Sequence, residues 1–201
     1  MKHTFLLILG LAALRADAAP VTLTPSSASR VRLEGDSTLH PFWSQTSSFT
    51  AILTVDADSA TAAAVAAAVA AGKPASMTVS IPVASLKSEH AGLDKNLRKA
   101  LSADKHADIV YTMERYEASP LKEGHALAVN GALTITDATA PAVLKATATV
   151  AGSAFVVEGE HILRMTDFGI KPPTMMLGAV KTADRIVVKY RLEFEPAADK
   201  P

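Results

Sequence analysis

The chain has 201 residues, a formal net charge of +0 and no cysteine. This length fits one domain, and the lack of cysteine excludes disulfides, iron–sulfur clusters, cysteine nucleophiles and cysteine-based zinc sites. The balanced charge has no basic run, so we expect no nucleic-acid partner, because such surfaces need concentrated Lys and Arg.

The N-terminus is typical of a secretory signal peptide. Lys2 gives a positively charged start, residues 4–14 form an apolar core, and the small residues of 16–19 offer a cleavage site. The apolar core is too short for a membrane anchor, since a spanning helix needs about 20 apolar residues. We therefore expect a signal peptide over residues 1–19 and an exported, periplasmic domain over residues 20–201.

Alternating apolar and polar residues predict about eight strands. Such alternation places the apolar side chains on one face of a half-buried strand. The runs that show it are residues 29–34, 48–55, 76–83, 108–117, 125–135, 142–152, 154–165 and 184–195. Residues 20–28 and 35–43 are interpreted as a loose lead-in and a turn. Many short strands separated by turn-forming stretches favour an antiparallel barrel or sandwich.

Two stretches predict helices. Residues 58–71 are almost pure alanine and end at Gly72 followed by Pro74, as helices often do, although a low-complexity linker is the competing interpretation. In residues 90–101 every fourth residue is a leucine, which places on one helical face Leu93, Leu97 and Leu101. We expect this leucine face to close one end of the barrel, where it would also serve as a gate.

The sequence shows no pattern typical of a catalytic or metal site. The histidines lack the spacing that brings two imidazoles to one metal, and there is neither a Gly-x-Ser-x-Gly elbow nor a recognisable Ser–His–Asp set. Met165, Met175 and Met176 cluster near Phe168, and thioethers are ligands that Cu(I) favours. Without histidines at ligand spacing, we interpret them as adaptable apolar surface.

The segment 164–170 reads Arg-Met-Thr-Asp-Phe-Gly-Ile and leads through an apolar loop into the last strand. It resembles the C-terminal signature of the YceI-like family. Further stretches resemble the family in the same order, namely residues 37–40, 79–83, 92–98, 130–135 and 140–143. The resemblance covers about residues 29–195. The chain departs from the family in its long Ala-rich helix and at residues 103–107, where the family has a Phe-rich segment.

The resemblance implies a mainly β fold, an extended eight-stranded antiparallel lipocalin-like barrel with one or two short α-helices. It also implies a bound lipid, and a barrel of eight strands has room for one small ligand. A long apolar tail gains about 0.8 kcal/mol per buried CH₂, so binding needs no catalytic group. We expect a non-catalytic periplasmic carrier of an isoprenoid quinone, polyprenyl lipid or other long-chain amphiphile, with no cofactor besides that lipid.

Apolar side chains on the predicted strands and the C-terminal loop are the candidates for the ligand-binding wall, namely Phe49, Ile81, Leu133, Phe168, Met175, Met176, Val188 and Leu192. His40 and Arg164 are the candidate headgroup contacts. For His40 the alternative is a turn histidine bonded to backbone, and for Arg164 it is a structural latch with Asp167.

Three further questions stay open at this point. The sequence is compatible with transient membrane contact and with either a monomer or a homodimer. A barrel enzyme acting on a lipid-like substrate is one alternative function, and it would need a polar pair of residues inside the cavity. A barrel filled by its own side chains, acting as an accessory or stress-related interaction module, is the other, and it would have no continuous cavity.

Overall fold

A computed structural model of the protein describes residues 19–175 and 179–197, with the backbone alone at Met175. The predicted signal peptide therefore lies almost entirely outside the described residues and stays a prediction. Within the described ranges, no helix has the length and hydropathy needed to cross a bilayer.

The described residues form eleven strands, two α-helices and two short 3₁₀ turns. The strands are β1 Val21–Pro25, β2 Arg30–Ser37, β3 Phe42–Thr46, β4 Thr50–Val55, β5 Ala75–Pro82, β6 Asp108–Pro120, β7 His125–Ile135, β8 Ala138–Ala151, β9 Ala154–Arg164, β10 Thr174–Met175 and β11 Val180–Pro196. The helices are α1 Ala62–Ala70 and α2 Ala91–Ala100, and the 3₁₀ turns are Val83–Ser85 and Met165–Phe168.

The strands close into an eight-stranded antiparallel barrel, which confirms the predicted fold. The order is β1, β4, β5, β6, β7, β8, β9 and β11, and β11 closes the ring by pairing with β1. The first part of β11 pairs instead with β2, which continues β1, and β3 in turn pairs with β2. Two of the eight barrel positions are thus each shared by two shorter strands. Strands β1 and β2 share one position, and β3 and β4 share the other.

The last strand, β11, alternates as its sequence predicts. Leu192 and Phe194 are buried inside the barrel. On the opposite face Arg191 forms ion pairs with Glu193, at 2.9 Å, and with Glu158 of β9. The period of two therefore marks the inner and outer faces of the barrel correctly.

Strands β1 and β3 correct the prediction that residues 20–28 are a lead-in and residues 35–43 a turn. Strand β1 is held by pairing on both sides, with β4 and β11, and its two alternating apolar residues, Val21 and Leu23, are too few to identify it. In β3 the usual polarity is reversed, because Ser44 and Thr46 are buried while the ring of Trp43 lies 4.5 Å beneath the guanidinium of Arg32. Alternation therefore could not identify this strand.

Helix α1 closes one end of the barrel with alanine and valine. Its Val65 and Val69 are buried in the same cluster as Phe155 and Phe194. The helix begins after Thr61, whose Oγ1 accepts from an amide of the first turn. These contacts confirm the helix and show that the linker interpretation was wrong, since packing inside the barrel adds to the high helix propensity of alanine.

Helix α2 lies at the other end, as the positions along β7 show. His125, at the start of β7, borders a small cavity beside α1, whereas Ile135, at its end, packs with Leu101 after α2. The leucines of α2 border the barrel interior, as predicted. Asp94 of this helix accepts from the amide and hydroxyl of Ser88, at 2.8 and 2.7 Å. These bonds lower the pKa of the Asp94 carboxyl.

Gly159 of β9 is required by the close packing of Tyr190 across it. A Cβ at this position would lie 2.3 Å from the Lys145 carbonyl oxygen and 2.8 Å from the Tyr190 hydroxyl. We expect Gly159→Ala to lower the free energy of unfolding by about 1–3 kcal/mol, the usual cost of overpacking. Chemical denaturation of the variant measures this loss.

Gly92 of α2 provides the matched control, because a Cβ there meets nothing within 4 Å. Alanine suits a helix better than glycine by about 0.5–1 kcal/mol, so Gly92→Ala is expected to leave the stability unchanged or to raise it by up to that amount. Equal losses from the two alanine substitutions would contradict the role assigned to Gly159.

Candidate ligand cavity inside the barrel

The half of the barrel nearer α2 contains a cavity of about 700 Å³. Binding pockets for small molecules usually measure about 300–1,000 Å³, so one ligand fits. Inward side chains of the strands form most of the wall, including Val31, Leu33, Met77, Val79, Ile81, Val129, Leu133, Leu144, Val157, Leu163, Ile186, Val188 and Leu192. The end towards α2 is bordered by residues of that helix and by the turn that joins β2 to β3.

The wall is apolar apart from a few side chains. Among the described residues that line the cavity there is no Asp or Glu, and Lys95 is the one with a permanent charge. Lys95 is exposed on α2, at the rim. A polar ligand would find few partners there, and burying a charge or polar group without a partner costs free energy. A lining of this kind therefore suits a hydrocarbon chain.

Two tyrosines line the cavity with their hydroxyl groups bonded to the wall. Tyr111 donates to the Val129 carbonyl and Tyr190 donates to the Lys145 carbonyl, each at 3.0 Å. Burial raises the pKa of Tyr111 to about 12 and also raises the pKa of Tyr190. Both groups therefore stay protonated at neutral pH, and their rings add apolar surface to the cavity.

His161 is a cavity residue that the sequence analysis did not select. It lies on β9 two pleats from Val157, paired with Val188 of β11. Burial lowers the pKa of His161, opposed by a hydrogen bond with the backbone of Val143. The alternation of β9 contained the signal, because residues 157, 159 and 161 share the inner face.

The lowered pKa of His161 predicts a pH dependence of stability. Between the lowered pKa of the folded state and the ordinary His value, the unfolded chain binds more protons than the folded one. The free energy of unfolding must therefore rise with pH over this interval. The contribution is complete above the ordinary His value of about 6.5 and is lost as the pH falls through the lower pKa of the folded state. We expect His161→Phe to reduce this acid loss, measured as the free energy of unfolding between about pH 7.5 and 5.

The exposed His90, which precedes α2, supplies the control. His90→Phe is expected to keep the pH dependence of the unmodified protein. If His161→Phe leaves the acid loss unchanged, the buried environment assigned to His161 is wrong.

The rim of the cavity includes the turn between β2 and β3. Ser37 Oγ accepts from the amides of Leu39 and His40 at 3.2 Å and donates to the His40 carbonyl at 2.8 Å. The His40 ring borders the cavity, and its Nδ1 lies 2.8 Å from the Pro41 carbonyl. His40 is therefore a turn histidine bonded to backbone that also stands at the cavity rim, and its contact with a lipid headgroup stays a prediction.

The structure places four of the predicted wall residues on the cavity lining, namely Ile81, Leu133, Val188 and Leu192. They come from β5, β7 and β11, so the barrel brings together positions far apart in the sequence. Met175 pairs through its backbone with Val180, and Met176 lies outside the described residues. Contact between any of these residues and a ligand stays a prediction.

Phe49, Phe168 and Arg164 occupy places other than the cavity wall. Phe49 packs against the α1-side core, and Phe168 is buried beside Val83 and Ile135 in a second cluster. Phe168 turns into that cluster because its 3₁₀ turn ends at Gly169 in a left-handed conformation. Arg164 ends β9 on the exposed, outer face.

The structural latch predicted around Arg164 has different members. Asp184 accepts from the backbone amide and the hydroxyl of Thr166, at 2.9 and 2.7 Å. These two bonds, with a smaller effect of the Arg164 charge, lower the pKa of Asp184. The carboxylate that ties the 3₁₀ turn to β11 is thus Asp184, rather than the predicted Asp167.

A closed antiparallel barrel of eight strands around an apolar cavity defines a lipocalin-like protein class. The chain belongs to the YceI-like domain family, whose model matches residues 22–194. The match confirms the resemblance read from segment 164–170 and the stretches before it. No curated protein matches the sequence significantly.

Several solved structures have a similar fold. Burkholderia cenocepacia BcnA aligns with a TM-score of 0.64 and 18% identity over 84% of this chain and 98% of its own. A polyisoprenoid-binding domain from Saccharophagus degradans, implicated in plant cell wall breakdown, aligns with a TM-score of 0.59 and 9% identity, over 89% of this chain and 99% of its own. A Campylobacter jejuni YceI variant with a monobromobimane guest aligns with a TM-score of 0.52 and 21% identity, over 71% of this chain and 79% of its own.

Proposed function

We propose that the protein binds one long-chain lipid inside its barrel and carries it without chemical change. The cavity of about 700 Å³, with its apolar wall, is the observation that carries this proposal. A chain buried there gains about 0.8 kcal/mol for each CH₂ removed from water. The polyisoprenoid-binding domain among the similar folds supports an isoprenoid quinone or polyprenyl lipid as the ligand.

The rim suits the polar end of such an amphiphile. Lys95 and His40 border the cavity where it approaches solvent, and both are exposed. A quinone oxygen or a phosphate would find hydrogen-bond donors there while its chain lies against the apolar wall. The exposed Leu39, at 68% of its full accessibility, adds an apolar residue beside this rim.

The cellular location in this proposal is the periplasm, which rests on the signal peptide expected over residues 1–19. A protein that takes lipid from one membrane and releases it at another needs a water-soluble path between them. A barrel with polar outer faces and an apolar interior provides that path.

Two alternatives compete with lipid carriage. A barrel filled by its own side chains requires an interior without a continuous cavity, and the cavity argues against it. A lipid-modifying enzyme requires a polar pair facing the substrate. His161 is a half-buried candidate for one member, but its ring bonds backbone, and no carboxylate lines the cavity among the described residues. Binding without catalysis is therefore better supported.

Organic extraction of the freshly purified protein, followed by mass spectrometry, tests the proposal. We expect a stoichiometric amount of a prenyl or acyl lipid in the extract. The same lipid, added to the protein and incubated with it, should be recovered chemically unchanged. The proposal fails if no lipid is recovered and if neither added ubiquinone nor added polyprenol binds. Conversion of the added lipid to a new product would favour the enzyme instead.

A further inference from the structure

On four adjoining strands the cavity lining ends at a definite inward residue. Inward side chains recur every second residue. The deepest ones that line the cavity on β7, β8, β9 and β11 are Val129, Ala146, Val157 and Leu192. The next inward residues are buried and outside its lining, namely Leu127, Ala148, Phe155 and Phe194. The cavity therefore has a floor, formed by these four side chains.

Strand register places two phenylalanines side by side in this floor. Leu192 pairs with Val157, and one inward step deeper Phe194 pairs with Phe155. Phe194 is 0% and Phe155 2% exposed, and both belong to a cluster that also contains Val65 of α1. The hydroxyl of Tyr116, on β6, donates to the Lys73 carbonyl at 2.6 Å. This bond holds the segment that follows α1 against the barrel wall.

A second, smaller cavity of about 410 Å³ lies on the far side of the floor. Phe155 borders it, together with Val69 of α1 and Ala148 of β8. Phe155 thus stands between the level of Val157, which lines the main cavity, and the space beside α1. Shortening its side chain would lengthen the main cavity in the direction of this second space.

We propose that Phe155, backed by Phe194 and α1, limits the length of the lipid chain that the barrel accepts. This inference rests on the proposed function and specifies the ligand further. At roughly 30 Å³ for each water-sized group, 700 Å³ holds about 20–25 such groups. Chains of about that many carbons fill the cavity to its floor, and the end of a longer chain stays outside.

Binding of geraniol, farnesol, geranylgeraniol and solanesol, in order of increasing length, tests this limit. Their affinities for the delipidated protein are measured by competition with a fluorescent fatty acid. We expect affinity to rise by about tenfold for every two carbons buried, as far as geranylgeraniol, and then to stop rising with solanesol.

Three variants test whether the floor, rather than another part of the barrel, sets the length limit. Phe155→Ala should move the limit to longer chains, so that solanesol gains affinity relative to geranylgeraniol. Val157→Phe adds a ring above the floor and should weaken geranylgeraniol by about tenfold or more while leaving geraniol little changed. Val143→Phe makes the same change on the outer face, where Val143 is 48% exposed, and should alter none of the affinities.

Val157→Phe keeps the test decisive if Phe155→Ala fails to fold, because it fills space rather than removing core packing. An affinity that rises through solanesol in the unmodified protein, or a Val157→Phe variant that keeps the original length dependence, overturns the limit. If no prenol and no fatty acid binds at all, the proposed function itself fails, so the two failures are distinguishable.

Discussion

Phe194→Ala is expected to lower the free energy of unfolding by about 3–5 kcal/mol, as large deletions in a packed core do. The Phe194 side chain is fully buried between the cavity floor and the cluster around α1. Its removal leaves a space that the surrounding strands cannot collapse into, because their backbones are fixed by pairing with both neighbours. Urea denaturation followed by circular dichroism measures the loss.

Phe42 is the matched position for this substitution. Its ring lies on the cavity lining, so one side already has few packing partners. Phe42→Ala should therefore cost clearly less than Phe194→Ala. Equal costs would mean that the Phe42 ring is packed as closely as the Phe194 ring, which would contradict its place on the cavity lining.

Val188→Lys is expected to reduce the affinity for a prenol by at least about 100-fold, because an ammonium without a partner would be buried beside the lipid chain. Val188 lies on β11 facing the cavity, opposite Leu33 and His161 on its two neighbouring strands. A lipid chain in the cavity of this variant must either displace the ammonium group towards the rim or lose its contact with the wall at residue 188.

Val187→Lys, on the other face of the same strand, is the control. Residue 187 pairs with Glu34 and Ile162 on the outer surface of the barrel. We expect this variant to bind prenol as the unmodified protein does. Prenol binding that Val188→Lys leaves intact would place the ligand elsewhere on the molecule.

Much of the barrel could be predicted from the sequence because alternation reports which face is buried. Strand β7 was predicted with the bounds that the structure has, residues 125–135, and the inward positions of β11 followed from the same rule. The rule failed for β3, where buried Ser44 and exposed-face Trp43 reverse the usual polarity. Its strand conformation depends on pairing with β2, which no local pattern encodes.

The cavity could be predicted only in part. Ile81, Leu133, Val188 and Leu192 were selected as apolar inward residues, and all four line it. Apolarity alone cannot separate a cavity wall from a packed core, and Phe168 shows this, because it is equally apolar but buried in the second cluster. Likewise the floor at Phe155 follows from the register between strands and from where α1 packs on the barrel, neither of which the sequence reveals.

Residues outside the apolar pattern were the hardest to assign. His161 has no ligating or catalytic partner at a recognisable spacing in the sequence, and its strand position among apolar neighbours alone brings it to the cavity. The latch at the end of β9 was assigned to Asp167, which is close in sequence. The carboxylate that caps Thr166 comes from Asp184, which β11 brings back to this end of the barrel.

The most direct test of lipid binding inside the barrel is a methyl NMR titration of the delipidated protein with geranylgeraniol. The methyl signals of Leu133 and Leu192, on the cavity wall, should shift and show contacts to the prenyl chain. Those of Ile52 and Ile162, which are exposed, should not move. Contacts confined to the exposed isoleucines, or no change at any of these methyls at saturating prenol, would contradict the account.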